Sequence, residues 1–159
     1  MRIEILAIGR LKDDAEASII ERYQKRFDQI GRSCGLGPLT IADFVESRAA
    51  TADERKSEEA VRLLKAASTA SLIVLEPSGK ALSSEAFAAH LRAAADIGHK
   101  SCAFLIGGPD GHGTQVIAAA SLKLSLGLLT LPHGLARVVL TEQLYRAATI
   151  LTRRPYHRA

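Results

Sequence analysis

Five short apolar runs, each followed by an amphipathic stretch at helical spacing, constrain this chain more than any other feature. Ile3, Ile5 and Ala7 alternate with Leu6 and Ile8 up to Gly9, which predicts a buried first strand. A helix is expected from about Asp13 to Gly31, with Ile19, Ile20, Tyr23, Phe27 and Ile30 as its stripe. Gly35, Gly37 and Pro38 then punctuate the chain, and Leu39 to Val45 reads as a second strand. Thr51 and Glu54 form a capping box that opens a helix with Ala60, Val61, Leu64 and Ala67 on one side. Ser71 to Glu76 is a short apolar strand, and Pro77-Ser78-Gly79-Lys80 reads as a turn. Ser83 or Ser84 caps a third helix, to about Ile97. Ser101 to Ile106 is a fourth strand, and the loop Gly107 to Gly111 leads to a short helix ending near Ala120. Leu122 to Leu131 is a fifth strand plus loop, closed by Pro132-His133-Gly134. The last helix is expected from Leu135 to Leu151. It would bury Leu135, Val138, Val139, Leu144, Ala147, Ala148 and Leu151, with Thr152 to Ala159 as an exposed tail. Strict strand–helix alternation without a linker or repeat means an α/β fold, one domain with a mainly parallel sheet and helices on both faces.

Composition agrees. Aromatics make up only 4% of the 159 residues and there is no Trp, so Ala, Leu, Ile and Val must build the core, which suits helices packed on a parallel sheet. The net charge of +4 and the sequence pI of about 9.3 favour a polyanionic partner. The charge is concentrated: from Pro132 to Ala159 there are five arginines (137, 146, 153, 154 and 158) and one acid, Glu142. Cys34 and Cys102 form no metal or redox motif, and Cys102 reads as a small buried hydrophobe. The first residues read as a strand and not a signal peptide, and no apolar run approaches membrane-spanning length. A reduced, cytoplasmic protein with no membrane partner and no metal is expected.

Ligands of open α/β sheets bind beyond the carboxyl ends of strands. Three strand ends are candidates: Leu75-Glu76-Pro77, Gly107 to Gly111, and Leu128 to His133. Three glycines within Gly107–Gly111 would let a ligand approach the backbone, and Asp110 could cap the next helix, although a plain β-to-α turn would look the same. Dinucleotide, P-loop and hydrolase-elbow patterns are missing. A glycine loop, an apolar loop and a basic helix suit an adenosine-type ligand beside an anionic partner.

The same residues resemble a known family. Leu105-Ile106-Gly107-Gly108-Pro109-Asp110-Gly111 is similar to the L-I-G-G-x-x-G loop of the ribosomal RNA large-subunit methyltransferase H family. Leu124-Ser125 through Thr130-Leu131-Pro132-His133 matches its second loop, and Arg137 to Ala147 its last helix, R-V-x-x-x-E-x-x-Y-R-A. Pro155-Tyr156-His157-Arg158 matches its terminus, and Ile5 to Lys12 its start, so the resemblance spans the chain. Asp110 departs from the Glu of some relatives, and Gly134 is smaller than the residue found in others.

The resemblance implies a SPOUT-type fold with a C-terminal trefoil knot, a feature no periodicity argument would propose. It implies a homodimer that uses S-adenosylmethionine to methylate N3 of a pseudouridine in helix 69 of the 23S rRNA within the ribosome. The cofactor pocket would use Leu75, Gly107, Gly108, Leu126, Gly127, Leu128, Leu129, Thr130 and Leu131, mostly through backbone groups and apolar walls. Arg137, Arg146, Arg153 and Arg158 would hold RNA phosphates. His157, Tyr156 and Arg154 would form the catalytic end. His157 is the candidate base or organiser of the target base, Tyr156 could stack on that base, and an arginine could instead stabilise the deprotonated base. Glu142 is expected to pair with Arg146 four residues on, His133 to order the cofactor loop, and His90, His99 and His112 to be surface residues. The rival readings are a SPOUT enzyme for another RNA, a non-catalytic ribosome-binding factor, and a flavodoxin-type nucleotide binder.

Overall fold

A computed structural model describes residues 1–156. The elements run β1 (Arg2–Ile8), α1 (Asp14–Gly31), a 3-10 turn (Arg32–Cys34), β2 (Leu39–Phe44), α2 (Ala52–Ala67), β3 (Ser71–Ala81), α3 (Ser84–Asp96), β4 (Ser101–Ile106), α4 (Thr114–Ala119), β5 (Leu122–Ser125) and α5 (His133–Leu151). The strands form one sheet in the order β2-β1-β4-β3-β5, with every pairing parallel. The alternation legible in the sequence sorts the two faces. Ile3, Ile5, Ala7, Phe104 and Ile106 pack with Phe27 of α1, Phe87 of α3 and Leu140 and Leu144 of α5. Leu6, Ile8, Ala103 and Leu105 pack with Ala60 and Leu63 of α2 and Val116 of α4. Each such fully buried Leu, Ile or Phe is worth about 1.5–3 kcal/mol relative to exposure. Cys102 lies inside this core, and burial pushes its thiol up to about 12.

Local chemistry starts the helices where expected. The Asp13 side chain accepts from the amides of Ala15 (2.8 Å) and Glu16 (3.1 Å). Thr51 and Glu54 cap reciprocally at 3.2 and 3.0 Å, and Ser83 caps α3 at 3.2 Å.

Three expectations are corrected. Pro77–Lys80 is not a turn: β3 continues through it to Ala81, with a register shift in which Leu124 of β5 faces both Leu75 and Lys80. A Cβ on Gly79 would lie 2.7 Å from the Lys123 backbone, so only glycine lets the irregular stretch lie against β5. In α2 the buried side is Glu59, Ala60, Leu63 and Ala67, while Val61 is exposed. In α5 the buried side is Arg137, Leu140, Thr141, Leu144, Ala147 and Ala148. Leu135 is exposed, and Val138, Val139 and Leu151 are half-buried. Apolar residues occur all round this helix, so spacing alone does not select a face.

Candidate functional site

The register shift of β3 and the carboxyl ends of β4 and β5 enclose a cleft of about 550 Å³, lined by residues 75–77, 106–112, 124–127, 129–133 and 136. Of the residues assigned to a cofactor from the sequence, Leu75, Gly107, Gly108, Leu126, Gly127, Leu129, Thr130 and Leu131 line it. Leu128 does not: its side chain is fully exposed.

The wall after β4 is bound on several sides. Gly111 N–H donates to Gly108 O at 3.0 Å. A Cβ on Gly108 would come within 3.0 Å of the Glu59 carboxylate and of Ile8. A Cβ on Gly107 would come within 3.1 Å of the Gly111 carbonyl carbon and 3.3 Å of the His112 ring. These glycines thus let the loop close on its own scaffold. Asp110 does not cap α4, whose N-cap is Gly113. Its carboxylate instead accepts from Arg55 Nε (2.7 Å) and Nη2 (3.1 Å), and the guanidinium holds it below the usual carboxylate range. Arg55 also donates to the Ala49 and Ala50 carbonyls at 3.1 and 3.3 Å, so it joins the glycine loop to the segment that precedes α2. His112 is not a free surface residue. Its Nε2 donates to the Leu75 carbonyl at 3.1 Å, tying the register shift of β3 to the glycine loop, while Nδ1 is buried with no partner among the described residues. Burial lowers the pKa of this imidazole. The only sequence signal for His112 was its place directly after the glycines.

The opposite wall is open. Ser125 Oγ donates to Gly127 O at 3.0 Å, and Gly127 takes a φ of +132°. Leu128 and Leu129 then stand out into solvent. Among the described residues, the amides at 128–131 make no hydrogen bond within the chain. A cleft of this size, apolar at Leu75, Ile106, Leu126 and Leu131 and edged by unpaired backbone groups, fits an adenosine-sized ligand held by main chain and apolar walls.

Arg137 is corrected from a phosphate ligand to a structural staple. It is 1% exposed, donates to Asp43 at 2.9 Å and to the Ile8 carbonyl at 3.3 Å, and also donates to the Gly9 carbonyl. Asp43 in turn accepts from the Leu11 amide at 3.0 Å, so the start of α5 is fastened to the carboxyl ends of β1 and β2. The His133 ring lies close over Gly9, at the start of α5 and on the cleft.

Residues 152–156 are not simply an exposed tail. Arg153 has a φ of +54°, Arg154 N–H returns to Thr149 O at 2.9 Å, and the chain doubles back along α5. Tyr156 packs edge-on against Tyr145, with ring centroids 4.6 Å apart. Its hydroxyl donates to Glu142 at 3.0 Å and lies 3.3 Å from the Tyr23 hydroxyl. Burial beside these groups raises the phenol pKa, which keeps it protonated. Glu142 pairs with Arg146 as expected, at 2.7 and 3.1 Å. As placed, Tyr156 is an anchor, with Arg146 already over its ring at 5.0 Å. Arg153 and Arg154 are exposed. His157 and Arg158 lie outside the described residues.

A parallel sheet with such a cleft at its carboxyl edge defines an α/β protein built to hold a small ligand between two loops. The family model described as Predicted SPOUT methyltransferase matches residues 1–157, and the chain belongs to this family. It is similar to proteins named ribosomal RNA large subunit methyltransferase H. That of Brucella anthropi is 46% identical over 100% of both chains. Those of Sinorhizobium medicae and Xanthobacter autotrophicus are 49% and 46% identical, again over 100% of both. A solved methyltransferase of Legionella pneumophila with bound cofactor SAM aligns over 91% of this chain and 65% of its own, at a TM-score of 0.45 and 13% identity, a likeness too loose to bear on the site.

Proposed function

We propose that this chain is an S-adenosylmethionine-dependent methyltransferase that modifies N3 of a pseudouridine in helix 69 of 23S rRNA, acting on the ribosome as a cytoplasmic homodimer. The observation that carries the reading is the cleft between the register shift of β3 and the carboxyl ends of β4 and β5. Its glycine and leucine loops are the segments whose residues match the methyltransferase H pattern.

Backbone groups at Leu75, Gly107 and 129–131 would hold the cofactor, and Leu75, Leu126 and Leu131 would wall its apolar parts. When bound, the cofactor would supply an electrophilic methyl group for N3, with the C–S bonding pair left on its sulfur. The proton on N3 must leave, and His157 is the chain's candidate to take it or to organise the target base. Tyr156, the residue before it in sequence, is pinned to Glu142 and Tyr145. Arg146, Arg153, Arg154 and Arg158 supply positive charge for phosphates or for the deprotonated base. The exposed Leu128, Leu129 and Leu135 beside the cleft favour burial against a second copy.

Radiolabelled methyl transfer to ribosomes from cells lacking this protein, with a calorimetric titration of S-adenosylmethionine, tests the reading. Label at a single uridine-type position of helix 69 and saturable cofactor binding are expected. Binding without transfer would leave a ribosome-binding factor, and label on transfer RNA would move the enzyme to another target.

A further inference from the structure

All three tyrosines of the chain meet at one place between α1 and α5. Tyr23 and Tyr145 lie with ring centroids 5.9 Å apart, and Tyr145 and Tyr156 at 4.6 Å. Arginines frame this cluster. Arg22 lies 5.4 Å from the centroid of Tyr23, Arg26 lies 5.8 Å from Tyr23 and 6.0 Å from Tyr145, and Arg146 lies 5.0 Å from Tyr156. Arg146 shares Glu142, but Arg22 and Arg26 are exposed and make no ion pair among the described residues. Their neighbour Lys25 is neutralised by Glu21 at 2.5 Å.

We propose that Arg22 and Arg26 of α1 form a second arm of the RNA-binding surface and, with Arg146, grip phosphates of the substrate's backbone away from the modified base. The proposal rests on the reading of the cleft as an rRNA methyltransferase site and adds a surface that neither the tail nor the last helix provides. A guanidinium resting against an aromatic ring loses little further freedom on binding and keeps its in-plane N–H donors, the geometry suited to bidentate phosphate contact. The surface is net positive, with Arg22, Arg26 and Arg146 against Glu142. Aromatic and arginine faces are what RNA-binding surfaces offer to phosphates and unstacked bases. Its reach also fits. Arg146 lies thirteen residues along α5 from His133 at the cleft, roughly 20 Å at helical rise. A structured RNA with its target base in the cleft would pass the cluster several nucleotides away.

The test uses the full-length dimer and ribosomes from cells lacking the protein, with R22Q/R26Q and R22K/R26K variants compared across a salt series. The glutamine pair should raise KM about fivefold or more and flatten the slope of log(kcat/KM) against log[salt] by about 1.4–1.8, the loss of two phosphate contacts. Cofactor affinity by calorimetry should stay near wild type, and the lysine pair, which keeps the charge but not the forked donors, should recover the slope and only part of KM. An unchanged KM and slope in the glutamine pair overturns the proposal. So does an equal loss in both pairs with a matching drop in Tm, which would make the arginines packing residues of the tyrosine cluster. A wild-type protein that transfers no methyl group to ribosomes overturns the reading of the cleft, and this proposal with it.

Discussion

The two walls of the cleft are built in opposite ways. The glycine loop is fastened by Arg55 to Asp110 and by His112 to the Leu75 carbonyl, with Gly108 packed close over Glu59 and Ile8. The leucine loop carries one serine–glycine turn and then exposes Leu128 and Leu129. A wall held by directed polar bonds is fixed before any ligand arrives. A wall with unpaired amides and bare leucines is completed by what binds to it. Under the proposed function, the first would preorganise cofactor contacts at low cost in ordering. The second is the side on which the ligand and a second subunit should be energetically coupled.

The largest effect should come from losing the candidate catalytic residue His157. Deleting residues 157–159 leaves the Tyr156 anchor in place, and should lower methyl transfer about 10²–10⁴-fold, the range expected for losing a positioned proton-transfer group. Cofactor binding should change little. Mixed dimers then ask whose tail serves which cleft. Gly107→Val should abolish cofactor binding by pushing the loop off the Gly111 carbonyl, since a Cβ there meets protein at 3.1 Å. Paired with a truncated subunit, it should recover about half of wild-type activity if each tail acts on the partner's cleft, as a two-fold dimer allows. A dead mixed dimer would place the tail on its own cleft. That alternative gains from the chain reversal, which brings Tyr156 back level with Glu142 and Tyr145.

Next in size, charge on the open wall should break assembly. Leu128→Glu with Leu129→Glu should shift light scattering from a dimer to a single chain at micromolar concentration, and activity should fall about 100-fold with the lost interface. If the variant stays dimeric, the leucine loop does not face the second copy.

Most of the architecture was legible because it depends on near neighbours in sequence. The alternation of Ile3, Ile5 and Ala7 with Leu6 and Ile8 sorted the sheet faces, and Asp13, Thr51 and Ser83 capped the helices that follow them. What escaped was long-range polar pairing. Arg137 looks like any basic residue until Asp43, 94 positions earlier, is folded against it. His112 looks like a surface imidazole until the Leu75 carbonyl, 37 positions earlier, arrives. Pro77 and Gly79 carry the local chemistry of a turn, and only the neighbouring β5 keeps β3 extended through them. The cleft segments themselves were visible through the family resemblance, whereas periodicity offered three strand ends without choosing among them.

Loosening the fixed wall should cost less than breaking the open one. Arg55→Ala removes the bidentate grip on Asp110 and the bonds to Ala49 and Ala50. The glycine loop keeps the His112 bond to Leu75, so cofactor affinity measured by calorimetry should weaken by about tenfold or less, with dimerisation retained. A loss as large as that of the tail deletion would mean the ion pair does more than position the loop.

The smallest effect isolates His112 and has a definite sign. In the unfolded chain its imidazole titrates near the usual 6.5, and burial lowers that value in the fold, against the opposing pull of the Leu75 carbonyl and Glu76. Between the folded value and 6.5 the unfolded chain therefore binds more protons, so stability rises with pH across that window. The contribution is complete above the unfolded value, is lost as pH falls through the window, and levels off below the folded value. His112→Asn removes the titrating group while keeping an amide able to donate toward Leu75. Its Tm should therefore fall less than that of wild type on going from pH 7.5 to pH 5, by about a few degrees at most. The difference should be accompanied by a cofactor affinity that depends less on pH than that of wild type, because the same imidazole joins the register shift of β3 to the glycine loop. Parallel Tm–pH curves for the two proteins would show that His112 is not the group that links the fixed wall to pH.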